Sequence, residues 1–108
     1  MAQTLTGSEF KSQILESERP ALVCISAAWS SPCRRMLQIY ENIAEKNSEK
    51  FTFYKLDSDA NPQTNQECGI FSLPAFLVFK DGQKVGELVG ITRPTALEQF
   101  VERISLAV

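Results

Sequence analysis

The residues with chemistry to offer gather in one short stretch, Trp29-Ser30-Ser31-Pro32-Cys33, followed by Arg34 and Arg35. Pro32 suits the first turn of a helix, where its missing N–H would have no partner in any case. A thiol beside it meets the unpaired N–H groups and the positive end of the helix dipole. Together with the two flanking guanidinium groups these favour negative charge on Cys33, while burial opposes it. A thiolate attacks disulfides, so Cys33 is a candidate for mixed-disulfide chemistry; the plainer alternative is an inert thiol that begins the buried stripe of its helix. Ser30 keeps its proton unless a base removes it, and the chain contains no histidine. The same absence excludes Cys–His and Ser–His pairs and every histidine-containing metal site. The other two cysteines, Cys24 and Cys68, lack the paired spacing of a zinc ribbon or a secreted disulfide scaffold. No metal and no cofactor are expected, and at least two of the three thiols are expected to be free in a reducing compartment.

Holding this stretch in place requires a strand before it and a helix after it. Ala21 to Ala27 is an almost continuous apolar run after Pro20, as in a strand covered on both faces, and is the expected central strand. Beyond the loop at Trp29, one helical face is marked by Cys33, Met36, Leu37, Tyr40, Ile43 and Ala44. Phe51 to Asp57 then reads as a strand, parallel to the central one through a right-handed crossover. Upstream, a short first strand precedes a short helix, opened by a Thr6–Glu9 capping box and carrying Phe10 and Ile14. Downstream, Asn61-Pro62 caps another short helix. Ala75 to Phe79 and Lys84 to Val89 flank Asp81-Gly82 as a hairpin, with Glu87 and nearby lysines suited to a sheet edge. Pro94 opens a last helix with Leu97, Phe100, Val101 and Ile104 on its apolar face. The order specifies a three-layer α/β/α domain around a mixed five-stranded sheet, one domain over residues 1–108.

Eleven basic and thirteen acidic residues leave a net charge of only -2, which removes the electrostatic drive toward nucleic acid or an anionic membrane. Small molecules or proteins are the expected partners. Met1-Ala2-Gln3-Thr4 shows neither the basic patch nor the apolar run of a signal peptide, so a cytoplasmic location is expected.

In their order and spacing these landmarks resemble the thioredoxin family over essentially the whole chain. They are Trp29-x-x-Pro32-Cys33, Lys55-Leu56-Asp57, Asn61-Pro62, Gly69-Ile70-x-x-Leu73-Pro74, and Phe79-Lys80-Asp81-Gly82 with Val89-Gly90. The resemblance implies the thioredoxin fold and thiol–disulfide chemistry in cell redox homeostasis. A solvent-facing cysteine attacks a substrate disulfide, and a second cysteine resolves the mixed disulfide. The family motif is Trp-Cys-Gly-Pro-Cys. Here Ser30 stands in the place of the attacking cysteine, and Cys33 matches the resolving one. The implied outcome is monothiol chemistry at Cys33, or no activity as a dithiol reductase.

The same resemblance places Cys24 where the family holds a buried aspartate that assists proton transfer. Cys24 either fills the strand as a small apolar side chain or faces Cys33 beneath the loop, where pairing needs Cα atoms within roughly 7 Å. Cys68 occupies a place where some members carry an extra cysteine able to link two chains; otherwise a monomer is expected. Trp29, Ser31, Pro32, Leu73, Pro74 and Gly90 resemble the family's peptide-docking surface, with a cis Pro74 presenting the backbone of Leu73. Ser26, Ala28, Gln38 and Ala75 depart further from the family pattern, as expected when a whole site drifts. Implied partners are proteins bearing disulfides or thiols, a thioredoxin reductase, or glutathione. Two alternatives remain. One is a non-catalytic binding module that uses the Trp29 and Pro74 surface. The other is a glutathione site against Pro74 in which the Ser30 hydroxyl donates to the glutathione sulfur.

Overall fold

Ala21, Leu22, Val23, Cys24 and Ile25 are all fully buried, and this one strand fixes the rest of the architecture. The structure is a computed structural model that describes residues 2–90 and 93–107. In chain order its elements are β1 (Gln3–Leu5), a 3₁₀ turn (Gly7–Glu9) running into a wide π-type turn (Lys11–Leu15), β2 (Ala21–Ser26), α1 (Ser31–Lys46), β3 (Thr52–Asp57), α2 (Pro62–Cys68), β4 (Ala75–Lys80), β5 (Gln83–Val89) and α3 (Pro94–Ala107). The sheet order is β1-β3-β2-β4-β5. β1, β3 and β2 are parallel, whereas β4 runs antiparallel to β2 and β5 antiparallel to β4.

Alternation along β2 divides the core in two. Leu22 and Cys24 point into the layer under α1 and α3, among Met36, Tyr40, Leu97 and Phe100. Val23 and Ile25 point the other way, toward Phe10, Ile14 and Ile70. Both faces of the central strand are therefore covered, which accounts for its uninterrupted apolar sequence. Burying each such aliphatic side chain contributes about 1.5–3 kcal/mol.

The helix expected near Phe10 takes a different form. The Glu9 carboxylate accepts from the Thr6 N–H at 3.0 Å and from the Thr6 hydroxyl at 2.9 Å, and the Glu9 N–H donates to the Thr6 carbonyl at 3.0 Å. These bonds close a tight 3₁₀ turn and hold the Glu9 carboxyl below its usual range. Gly7 is pressed against the start of α2: its N–H donates to Asn61 Oδ1 at 2.7 Å, and a Cβ there would lie 2.5 Å from Thr64 Oγ1. The pinned entry and the wider turn after it bury Phe10 and Ile14, with Phe10 edge-on to Phe79 at 5.4 Å.

Asn61 also behaves differently from expectation. It stands at the start of α2, but its side chain makes no cap bond, being spent between the Gly7 N–H and the Asp57 carbonyl, the latter at 2.9 Å. The 81–82 turn is the expected one, with positive φ at both Asp81 and Gly82. β5 lies at the sheet edge and carries a Lys84–Glu87 ion pair.

Tyr40 ties α1 to the sheet. It is fully buried, and its hydroxyl is shared between the carbonyls of Leu22 at 2.9 Å and Tyr54 at 2.7 Å, one on β2 and one on β3. Tyr40→Phe keeps the ring contacts with Phe53 and Phe76 but leaves those acceptors without their donor. The expected cost is about 1–3 kcal/mol, read as a lower denaturant midpoint with an unchanged slope.

Candidate functional site

Strand register brings three loops to one end of the sheet. Ile25 on β2 pairs with Ala75 on β4, and Ala75 pairs with Val89 on β5. The segments just beyond these pairs, residues 27–30, 71–74 and Gly90, therefore leave the sheet side by side. The loop after β3 joins them, because Ser26 pairs with Asp57 and the Ser58 N–H donates to the Ser26 carbonyl at 2.9 Å.

Ser30 begins α1. Its backbone is extended, and its hydroxyl accepts from the Cys33 N–H at 3.3 Å, satisfying one of the N–H groups that the first turn leaves without an internal acceptor. The serine thus serves as the cap of the helix that carries the thiol. Cys33 lies inside that first turn and is 1% exposed, with Ser31 and Pro32 exposed beside it. Of the two cations assigned above an electrostatic role toward the thiol, Arg34 has a mechanical one. Its guanidinium folds back, donating to the Ala28 carbonyl at 2.6 Å and to Ser31 Oγ at 2.9 Å, and so clamps the motif loop. Sequence reasoning missed this, and the only local signal was the three-residue spacing of Ser31 and Arg34. Arg35 is exposed.

Cys24 lies on β2 opposite Lys55 on one side and Phe76 on the other. Its thiol is held protonated well above the usual thiol range, first by burial, then by the neighbouring Cys33 and Glu41, against a lowering contribution from Ser26. Lys55 pairs with Glu41 of α1 at 3.1 Å, while the other Glu41 oxygen accepts from the Ala2 N–H at 2.7 Å. Cys68 is remote from both other sulfurs. It ends α2 on the opposite face of the sheet, half-buried near Lys84, and burial raises its thiol also.

The second loop carries a cis Leu73–Pro74 peptide, with Pro74 buried and Leu73 half-buried. Its carbonyl end is held from just beyond β5, where the Gly90 N–H donates to the Pro74 carbonyl at 2.9 Å and Gly90 has a φ of 91°. Two aromatic side chains stand out of these loops into solvent, Trp29 at 71% exposed and Phe71 at 91%. Phe71 was not singled out in the sequence, because its exposure depends on a loop path that periodicity does not report. Among the described residues no helix is long and apolar enough to cross a membrane.

The Thioredoxin family model matches residues 1–103. The chain is 38% identical over 102 residues to Thioredoxin 1 of Nostoc sp., spanning 94% of this chain and 95% of that one. It is 40% identical over 95 residues to the thioredoxin of Alicyclobacillus acidocaldarius, spanning 88% and 90% of the two chains. With Thioredoxin M4, chloroplastic, of Arabidopsis thaliana it shares 37% identity over 99 residues, 92% of this chain and 51% of the longer relative.

Ser30→Ala should lower stability by about 0.5–2 kcal/mol through loss of the cap, measured by chemical denaturation. Alkali should also destabilise the fold. The unfolded chain releases thiol protons near pH ~8.5 and phenol protons near ~10, whereas folded Cys24 and Tyr40 hold theirs, both raised first by burial. The unfolded state then binds fewer protons, so stability falls as pH rises through this window. The melting temperature should drop from about pH 8.5 and more steeply above ~10, and Cys24→Ala should flatten the first part of that fall.

Proposed function

The chain belongs to the thioredoxin family, and on that premise we propose that it acts in thiol–disulfide exchange through one motif sulfur, Cys33, without the family's two-cysteine motif cycle. The observation that carries this reading is the occupancy of the first turn of α1: Ser30 as its cap and Cys33 as the sulfur within it. A disulfide that reaches Cys33 forms a bond to its sulfur and releases one thiolate, giving a mixed disulfide. In the family cycle a second motif sulfur completes the exchange. The Ser30 hydroxyl does not substitute, since no histidine is present to deprotonate it and its oxygen is engaged as a cap. Proteins bearing thiols or disulfides are the fitting partners, as they are for a family whose chemistry is exchange at sulfur. A cytoplasmic setting agrees with three free cysteines.

A second reading has its own support. Trp29 and Phe71 are exposed aromatic side chains on loops that leave one end of the sheet, the same end as the Leu73–Pro74 segment. Such a surface binds a protein partner whether or not sulfur chemistry follows.

An insulin-disulfide reduction assay separates the readings. The unaltered chain should run near the uncatalysed background, and Ser30→Cys should raise the rate about tenfold or more by restoring a second motif thiol. A rate for the unaltered chain equal to that of its two-cysteine relatives would overturn the monothiol reading. Partner capture that persists in Cys33→Ser but is lost in Trp29→Ala would favour the binding module.

A further inference from the structure

Arg34 and Arg35 follow the motif thiol directly, and among the described residues neither meets a carboxylate, since the ion pairs there are Lys55–Glu41 and Lys84–Glu87. Arg34 is nevertheless fixed in place. One terminal nitrogen donates to the Ala28 carbonyl at 2.6 Å and the other to Ser31 Oγ at 2.9 Å. Both acceptors are neutral, and they use only part of the N–H donors that a guanidinium carries. A full positive charge with spare donors is therefore held at a set position on the rim of the motif. Arg34 is also one wall of a cleft of about 270 Å³ beside the motif loop. Ala28, Leu37 and Leu56 give that cleft an apolar lining, and Lys55, which it shares with Glu41, brings a second cation. The one acid on its wall, Asp57, is turned to the Asp59 N–H at 3.0 Å. Apolar walls with spare cationic donors suit a short apolar arm that ends in a carboxylate.

We infer that this cleft receives the acid arm of an anionic disulfide, with Arg34 as the specificity-determining residue for exchange at Cys33. The inference rests on the reading of Cys33 as the exchange sulfur and names its substrate class: small disulfides that carry a carboxylate a few bonds from sulfur. Cys33 is 1% exposed, so its sulfur reacts only when the motif loop yields, and a disulfide already held at the rim is the one present to meet it. The carboxylate takes the spare Arg34 donors in charge-assisted hydrogen bonds, the stronger kind. The Cys33 sulfur, its proton released to solvent, attacks the nearer sulfur of RSSR. The S–S bond breaks, Cys33–S–S–R forms, and RS⁻ leaves and takes up a proton as RSH. The protein thiol is oxidised to the mixed disulfide as one half of RSSR is reduced to thiol. A neutral or cationic disulfide lacks that hold and reacts by chance encounter alone.

The test compares three small disulfides, anionic dithiodiglycolate, neutral bis(2-hydroxyethyl) disulfide and cationic cystamine, on the full chain carrying Cys68→Ser. Adducts on Cys33 are timed by intact mass and located by peptide mapping. Each rate is divided by that of the same chain unfolded in urea, which removes the reagent's intrinsic reactivity. The anionic reagent should lead the neutral one by about tenfold, and the cationic one by more. Arg34→Met should cut that lead to about twofold or less, and Arg34→Lys, which keeps the charge without the planar fork, should recover only a small part of it. In Cys33→Ser, where no reaction at this position follows, dithiodiglycolate should shift the backbone amide signals of Ala28 and Leu37 in a saturable way. That map decides the matter if melting curves show that the Arg34 variants do not fold. Equal rates for the three reagents, a lead that survives Arg34→Met, full recovery in Arg34→Lys, or amide shifts confined to other residues overturn the inference while leaving exchange at Cys33 standing. Absence of any adduct on Cys33 overturns both readings.

Discussion

A helix that begins beside a buried thiol has to satisfy its first N–H groups there, and the start of α1 is the constraint on which the site depends. Ser30 answers it with a hydroxyl aimed at the Cys33 N–H. A serine hydroxyl is one of the best N-terminal caps available to a protein helix. It holds the first turn at the place where the enclosed Cys33 thiol sits.

What lies beneath that helix follows from β2. A strand buried on both faces accepts only small or apolar side chains unless a polar one finds a partner. Cys24 meets that demand as a neutral thiol, its proton retained by burial. Lys55, its neighbour across the register, neutralises Glu41, which also takes the Ala2 N–H and so joins the amino-terminal end of the chain to α1.

Much of this was legible in the residues, and the exceptions share a cause. The β2 run, the α1 stripe and the Asp81-Gly82 hairpin are set by interactions a few residues apart, or by burial that leaves a periodic trace. The segment at Phe10 failed as a regular helix because Gly7 is fixed by Asn61 and Thr64, far along the chain. Asn61 has a capping residue's identity and place, yet its side chain answers that same distant N–H. At the site, Ser30 and Cys33 could be named from the motif. The clamp made by Arg34 could not, since it depends on which way the Ala28 carbonyl points once the loop has folded. Phe71 was silent for a related reason: an exposed side chain in an irregular loop leaves no period to read.

The Arg34 clamp has a consequence for recognition. A surface loop usually enters a complex by surrendering motion, at roughly 0.5–1.5 kcal/mol for each side chain that must be immobilised. Here the rim beside Trp29 is already frozen through Ala28 and Ser31 before any visitor arrives. Its entropy was given up during folding, so more of the energy of each new contact is left to appear as affinity.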